Sequence, residues 1–438
     1  MASHKAVSVR GAYGIVWLLT GINLINYVDR YVLAAVGSQV IADLHLTQEQ
    51  FGWIGSALII SYTFLTPIFG WLGDRYSRTK LMAAGVGIWS LATGLGGFAT
   101  DYVHMLAARS LIGVGEASYA SVAPSLIADY FPPEHRATPI GLFNAAIPAG
   151  TAAGLILGGI LGTLMGWRYA FFVVGFPGIA LAITAYLIRE PERGALDSAA
   201  DRAAAAARKG ASFIQNYVTL FRNPLYMLSV LGYSATTFAL GALAYWAPQL
   251  LQTDKGMSET AAGITIGLCA GLGGTVGTLF GGWLSDRLLK RTSHAYPYVC
   301  AATAALSVVP MAVAISASTP AVYLTATVLT IVIAFMGNAP VNAIIVNSVP
   351  ADLRVSAVAL SILSIHVLGD AISQPVVGRL SDMVKTGAGT GFGGMIARMF
   401  ALDPALQHLS VAMLLLPVAM VVGAVLFLAA IKAERLRA

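Results

Sequence analysis

Charged residues are scarce in this chain. Asp, Glu, Lys and Arg make up 11% of its 438 residues, against about a quarter in a soluble protein. A soluble domain so poor in charge has too little polar surface to cover itself. Intrinsic disorder is excluded as well, because it needs low hydrophobicity and high net charge. Cysteine is also rare. Cys269 and Cys300 stand in separate apolar segments and form no CxxC pair; they offer no disulfide framework and read as small packing residues. The P-loop pattern GxxxxGK[ST] is missing, which sets ATP aside as the energy source. HExxH and metal-spaced Cys/His clusters are missing too, so neither a cofactor nor a resident metal is expected. The single GxGxxG, at Gly389, Gly391 and Gly394, has no strand before it and reads as chance. Nothing suggests the nucleophile–base set of an intramembrane enzyme. The first apolar segment has no convincing cleavage site and is expected to remain as a spanning helix.

What is abundant is apolar sequence: 57% hydrophobic residues and 46 glycines, with a mean hydropathy of +0.75. A helix needs about 20 apolar residues to cross the hydrocarbon core. Stretches free of Asp, Glu, Lys and Arg cover 50–73, 81–100, 137–167, 169–188, 223–253, 260–285 and 405–431. The stretch 292–351 holds two helices, with a turn at Ser316–Pro320. Segments 11–42, 102–128 and 355–378 are apolar with isolated charges, which brings the count to twelve spans. Backbone amides in lipid need internal partners, and a barrel would show short alternating segments. The fold class is therefore an all-α polytopic membrane protein.

The basic residues orient it. With the N-terminus inside, 19 of the 26 Lys and Arg fall on inside loops and tails. Five fall outside (Arg168, Lys255, Arg379, Lys385, Arg398), and Arg30 and Arg109 lie within spans. That bias places both termini in the cytoplasm. It also explains the net charge of +6 with no nucleic-acid partner. Between Arg189 and Asn223 the composition turns polar, with an alanine run at 203–207 followed by Arg208 and Lys209. Phe213, Tyr217, Leu220 and Phe221 have the spacing of a helix lying on the membrane surface. A second long loop, 383–404, is glycine-rich and outside.

The linker splits the spans six and six, and an internal repeat supports the division. GWLGDRYSR runs from Gly70 to Arg78 and GWLSDRLLK from Gly282 to Lys290, with Asp74 and Asp286 212 residues apart. The expected organisation is a six-helix half over 1–188, a cytoplasmic linker with an amphipathic helix over 189–223, and a second six-helix half over 224–438. Two such halves related along the membrane normal suit a substrate site at the midplane.

Ionisable groups inside spans are few and costly, roughly 2.5–3.5 kcal/mol each at a helix centre. In span 1, Asn23, Asn26 and Arg30 form one polar stripe, while Asp29 and Arg30 lie about 100° apart and cannot share a partner. In span 4, Arg109 and Glu116 share a face, and Gly113 and Gly115 between them allow a close neighbour. Glu116 has no opposite charge one turn away, so its partner must come from another helix, and span 1 is the natural source. A mid-span carboxyl of this kind can load and release a proton. In span 11, His366 and Asp370 stand one turn apart on a common face, and histidine titrates near physiological pH. Aromatic residues such as Trp246 and Phe335 are spaced as core or lipid-facing side chains and mark no site.

The doubled GxLxDRxxR/K loop resembles that of the major facilitator superfamily. Gly141, Gly150, Gly154, Gly158 and Gly159 in span 5 are similar to a motif of its antiporters, with Leu155 where that motif has proline. NYVDRY (26–31), GDRYSR, RSLIGVGEASYASVAPSLIADYF, IPAG (147–150) and HVLGDAISQP look like the Spinster family. This resemblance implies a twelve-helix major facilitator fold in two pseudo-symmetric halves. It implies proton-driven alternating access in a bacterial plasma membrane, by a monomer that moves an amphiphilic lipid-like substrate. Asp29 and Glu116 would then be the proton-coupling sites. Arg30, Arg109, Asn26, His366 and Asp370 would support coupling or touch substrate. Gly70, Asp74, Arg75 and Arg78, with Asp286 and Arg287 as the weaker counterpart, would form a cytoplasmic latch. Symport of small organic anions, with Arg30 and Arg109 binding a carboxylate, and drug efflux remain alternatives.

The topology has a direct test. A cysteine introduced as Ala200→Cys, in a background lacking Cys269 and Cys300, is expected to resist impermeant thiol reagents on intact cells and to label after lysis. Efficient labelling from outside would overturn it.

Overall fold

The computed structural model of the chain describes residues 9–132, 135–191, 213–350, 353–387 and 391–435, and every extended element among them is helical. Span 1 is Val9–Ala35; a turn at Val36 leads into a short helix, Gly37–Asp43, so the expected run to residue 42 is broken in two. Spans 2 to 5 are Gln48–Arg75, Arg78–Gly96, Tyr102–Tyr130 and Ala137–Met165. Span 6 is Trp167–Gly175 continued by Pro177–Leu187.

In the second half, span 7 is Pro224–Thr253. Span 8 runs as Glu259–Leu268 and Gly274–Leu289 about a π-helical turn at Cys269–Gly273. Span 9 is Ala295–Ser316, and span 10 is Pro320–Phe335 followed by Asn338–Asn347. Span 11 joins Arg354–Ile365 to Ala371–Gly387 through a second π-helical turn, His366–Asp370. Span 12 is His408–Met413 with Leu415–Arg435.

Eleven of these are long and apolar enough to cross a bilayer, and span 3 is the twelfth. Its 19 residues include Arg78, Lys80, Thr79, Ser90, Thr93 and four glycines, which lowers its hydropathy. It fits because its small and polar residues lie buried against spans 4 and 6. The expected loop at 383–404 is partly helical: span 11 runs on to Gly387, and a short helix, Gly391–Met399, follows. Charge marks the edge of the lipid, and a helix can continue past that edge into water. Gly389, part of the glycine triplet, lies outside the described residues, as do Lys5 and 192–212 of the linker. The helix Phe213–Phe221 precedes span 7, buries Leu220 and leaves Phe221 exposed.

The packing repeats. Span 1 lies on span 5, span 2 on span 4, and span 3 on spans 4 and 6. Likewise span 7 lies on span 11, span 8 on span 10, and span 9 on spans 10 and 12. The halves meet along two seams, span 2 with span 11 and span 5 with span 8. Hydrogen bonds cross between them from Tyr245 to the Phe51 carbonyl (2.6 Å), Ser56 to the Ala371 carbonyl (2.5 Å), Gln249 to Gln48 (3.0 Å) and Gln252 to the Ala35 carbonyl (3.0 Å). All of these lie toward the end remote from the chain termini, hereafter the distal end.

Glycine sets how close the helices come. A Cβ on Gly113 would meet the Leu58 carbonyl of span 2 at 2.3 Å, and one on Gly115 would meet the Gly85 carbonyl of span 3 at 2.5 Å. Gly150, Gly154 and Gly158 give span 1 the same close approach, and Gly159 faces Glu259 and Gly263 of span 8. The glycine series of span 5 is thus a packing seam on both sides.

Gly115→Val is therefore expected to lower thermal stability by about 1–3 kcal/mol through overpacking. Gly141→Ala, where an added Cβ has nothing within 4 Å, is expected to be neutral or stabilising. Differential unfolding of the purified variants checks both, and equal melting curves for the two would refute the assignment.

Candidate functional site

The site is built on the middle of span 1. Asp29 and Arg30 point to different neighbours, as their angular separation requires. Arg30 Nη2 forms an ion pair with Glu116 Oε2 of span 4, so Glu116 finds its partner on span 1. Asp29, completely buried, turns to span 3, where Thr93 Oγ1 donates to its Oδ2 at 3.2 Å. Asn23 Nδ2 donates to the Phe143 carbonyl of span 5 at 2.9 Å, and Asn26 is buried beside it.

Arg109 does something that spacing does not suggest. Its Nη1 and Nη2 donate to the main-chain carbonyls of Asp29 and Arg30, at 3.1 and 3.2 Å. A helical carbonyl already holding its i+4 amide has a second lone pair to offer, and Arg109 uses two of them. Its hydrogen bonds clamp span 4 to the backbone of span 1 and do not go to a carboxylate.

The rings of Tyr27 and Tyr62 lie 5.1 and 5.3 Å from the Arg30 guanidinium, within cation–π range. Tyr62 also meets His366 edge-on at 5.8 Å. His366 Nδ1 is 3.1 Å from both carboxylate oxygens of Asp370. Their π-helical turn is opened by Gly369, whose φ and ψ of −103° and −106° are not helical, and such turns occur often at functional sites. The charged pair of the first half and the His–Asp pair of the second are thus joined through one tyrosine. Sequence reasoning passed over Thr93, Tyr27 and Tyr62; the tyrosine inside NYVDRY was the available signal.

The cluster is incompletely satisfied. Asp29 Oδ1, Glu116 Oε1, Arg30 Nε, Arg109 Nε and Asn26 Nδ2 are buried without a protein hydrogen-bond partner. Each such atom calls for a physical explanation. Beside it, between spans 2 and 11, runs a groove of about 300 Å³. Trp53, Ile60, Phe64 and Ile372 make it apolar, with His366 at its inner part and Glu49 and Arg379 near the distal rim.

The repeated loop residues stand at the opposite end. Arg78 pairs with Asp129 and Glu190 inside its own half. Burial favours the neutral Glu190 carboxyl, but hydrogen bonds from Arg78 and Ser77 win and hold it below its ordinary range. Asp286 accepts a hydrogen bond from Tyr296 at 3.1 Å, also within its own half. Gly70 and Asp74 occupy the last turns of span 2. Arg75 lies over Trp71 at 3.9 Å and Arg287 over Trp283 at 5.6 Å, so the repeat recurs in three dimensions.

Removing one member of a buried ion pair leaves the other uncompensated and costs about 3–5 kcal/mol. Arg30→Met and Glu116→Met are each expected to lower the unfolding temperature strongly. The double variant is expected to recover much of the loss. Additive single effects would show that the two side chains do not act as a pair.

Comparison with known proteins agrees with this architecture. The family model of the Major Facilitator Superfamily matches residues 19–363. Protein spinster homolog 1 of Xenopus tropicalis is 33% identical over 429 residues, covering 92% of this chain and 78% of the relative. Protein spinster of Drosophila melanogaster is 34% identical over 393 residues, covering 86% of this chain and 63% of the relative. Among solved structures, a bacterial homolog to the human lysosomal transporter Spinster, inward-facing and occupied, superposes with a TM-score of 0.82 at 21% identity over 96% of this chain and 97% of that one. A D-xylose–proton symporter shares the fold at a TM-score of 0.69 and 14% identity, over 93% and 97%. With these relatives and this paired six-helix architecture, the chain belongs to the Spinster family of the Major Facilitator Superfamily and is a membrane transporter, not an enzyme.

Proposed function

We propose that the chain couples proton movement to the transport of an amphiphilic, lipid-like substrate by alternating access. The observation that carries this reading is the enclosed Arg30–Glu116 pair with its second carboxylate oxygen unbonded. Ionised, Glu116 balances Arg30. Protonated at Oε1 or Oε2, it gives up that role, and Arg30 turns to an anionic head group between Tyr27 and Tyr62. Proton and substrate then act on one arginine, which links their binding. Asp29, next in sequence and hydrogen-bonded by Thr93, is the second proton site. Arg109 keeps spans 1 and 4 in register during the exchange, and His366 and Asp370 present the second half to the same space.

The apolar groove at spans 2 and 11 supports the lipid part of the reading, since it gives an acyl chain a path beside the charged cluster. A small organic anion needs no such surface. Arg109, committed to two carbonyls, also speaks against a two-arginine carboxylate clamp. With both termini cytoplasmic in a bacterial plasma membrane, closure of the distal end corresponds to a cytoplasm-facing conformation. In the alternate state Asp74 and Arg75, with Asp286 and Arg287, exchange their present contacts to hold the opposite end shut.

The proton shifts the balance only through its different affinity for the two states. A difference of about a hundredfold in proton affinity between the two states moves a balanced equilibrium to about 100:1. In proteoliposomes, uptake of a labelled lysophospholipid is expected to rise with an imposed pH gradient, and a short organic acid is not expected to be carried. Glu116→Gln is expected to abolish the gradient dependence while leaving residual exchange. If the variant keeps the wild-type pH midpoint and amplitude, Glu116 is a packing residue and the coupling assignment falls.

A further inference from the structure

We propose that Asp382 of span 11 is a latch that holds the distal end closed by completing the N-terminal cap of span 2 across the boundary between the halves. The first four amides of a helix have no partner within it. In span 2 these belong to the cap residue Thr47 and to Gln48, Glu49 and Gln50. The first half satisfies two of them itself: Thr47 Oγ1 accepts from the Gln50 amide at 3.1 Å, and Gln50 Oε1 accepts from the Thr47 amide at 3.0 Å. Together these two bonds form a capping box. The other two amides are satisfied by the second half. Asp382 Oδ1 accepts from Gln48 N at 3.1 Å and Oδ2 from Glu49 N at 2.8 Å.

A carboxylate at this place also meets the positive end of the helix dipole. The contact exists only while spans 2 and 11 touch, so its whole contribution falls on the closed distal state. A cap wholly inside one half would stabilise both states equally and shift nothing.

The backbone is shaped to deliver it. Gly378 lies one turn before Asp382 on the same face of span 11, and a Cβ there would meet the Gln48 carbonyl oxygen at 2.3 Å. Gln374, one turn earlier, sits with its carbonyl 2.6 Å from where a Gly52 Cβ would be. This ladder of close backbone approaches leads Asp382 onto the first turn of span 2. The neighbouring Arg379–Glu49 pair is exposed and 4.0 Å apart, too loose and too wet to perform the same task. On the second seam, Gln39 bonds Glu259, so loss of Asp382 leaves the halves joined and able to fold. Closure through Asp382 requires neither the substrate nor the coupling ion.

The test measures distances between spin labels at Val103→Cys and Thr319→Cys, both exposed at distal ends of different halves, in a background lacking Cys269 and Cys300. Asp382→Ala is expected to raise the ratio of distally open to distally closed molecules about five- to thirty-fold, the range that loss of a charged cap allows. Thr47→Ala breaks the cap within the first half, in both states alike. It is expected to lower the unfolding temperature without moving the distance distribution. A shift with Asp382→Ala and none with Thr47→Ala supports the latch. Equal shifts in both, or none in Asp382→Ala while the protein stays folded and monodisperse, overturn it.

Discussion

Charge inside a bilayer must find its partner inside the protein, and in the first half that demand is met around one stretch of span 1. Arg30 pairs with Glu116, Asp29 takes the Thr93 hydroxyl, and Arg109 holds the carbonyls of both residues. Spans 3 and 4 are thereby fixed to span 1. The rest of the half follows from how close those helices must come. Gly113 lets span 4 onto span 2, and Gly115 lets it onto span 3. Gly150 and Gly154 let span 5 onto span 1. Side chains at these positions would hold the helices apart and take the charged groups out of reach of one another.

Among the described residues the second half has no comparable knot. Its polar feature is the His366–Asp370 pair on a helix loosened by a π-helical turn. A half knotted by buried charge thus faces a half whose spans 8 and 11 each carry a π-helical turn. The distal seams carry the bonds between halves, while Arg78 and Asp286 at the other end bond within their own halves. The bonds named between the halves therefore gather toward the distal end.

Much of this was legible beforehand. Breaks in charge gave all twelve spans, because lipid tolerates few ionised groups, and the repeated GWLxDR loop gave the two halves. Boundaries were less accurate. Span 1 breaks at Val36 and span 11 extends to Gly387, since helix ends are set by caps and packing while charge records only the lipid edge. At the site, the heptad spacing of Arg109 and Glu116 announced one face turned toward span 1, and the pairing of Glu116 followed. The main-chain contacts of Arg109 could not be foreseen, because a carbonyl leaves no mark in the sequence. Tyr62 and Thr93 were hidden for a related reason: each acts through a helix remote in the chain.

By itself the sequence determined that the chain crosses the membrane as helices, how many times, in which two halves, and which few ionisable groups the lipid must enclose. These follow from composition and spacing, which are local. Only the tertiary structure decided which group meets which: that Arg30 rather than Arg109 balances Glu116, that Tyr62 bridges to His366, and that Asp382 meets the first turn of a helix more than 300 residues earlier. Those pairings depend on angstrom-scale distances between helices, and these are set jointly by every glycine and side chain along each seam.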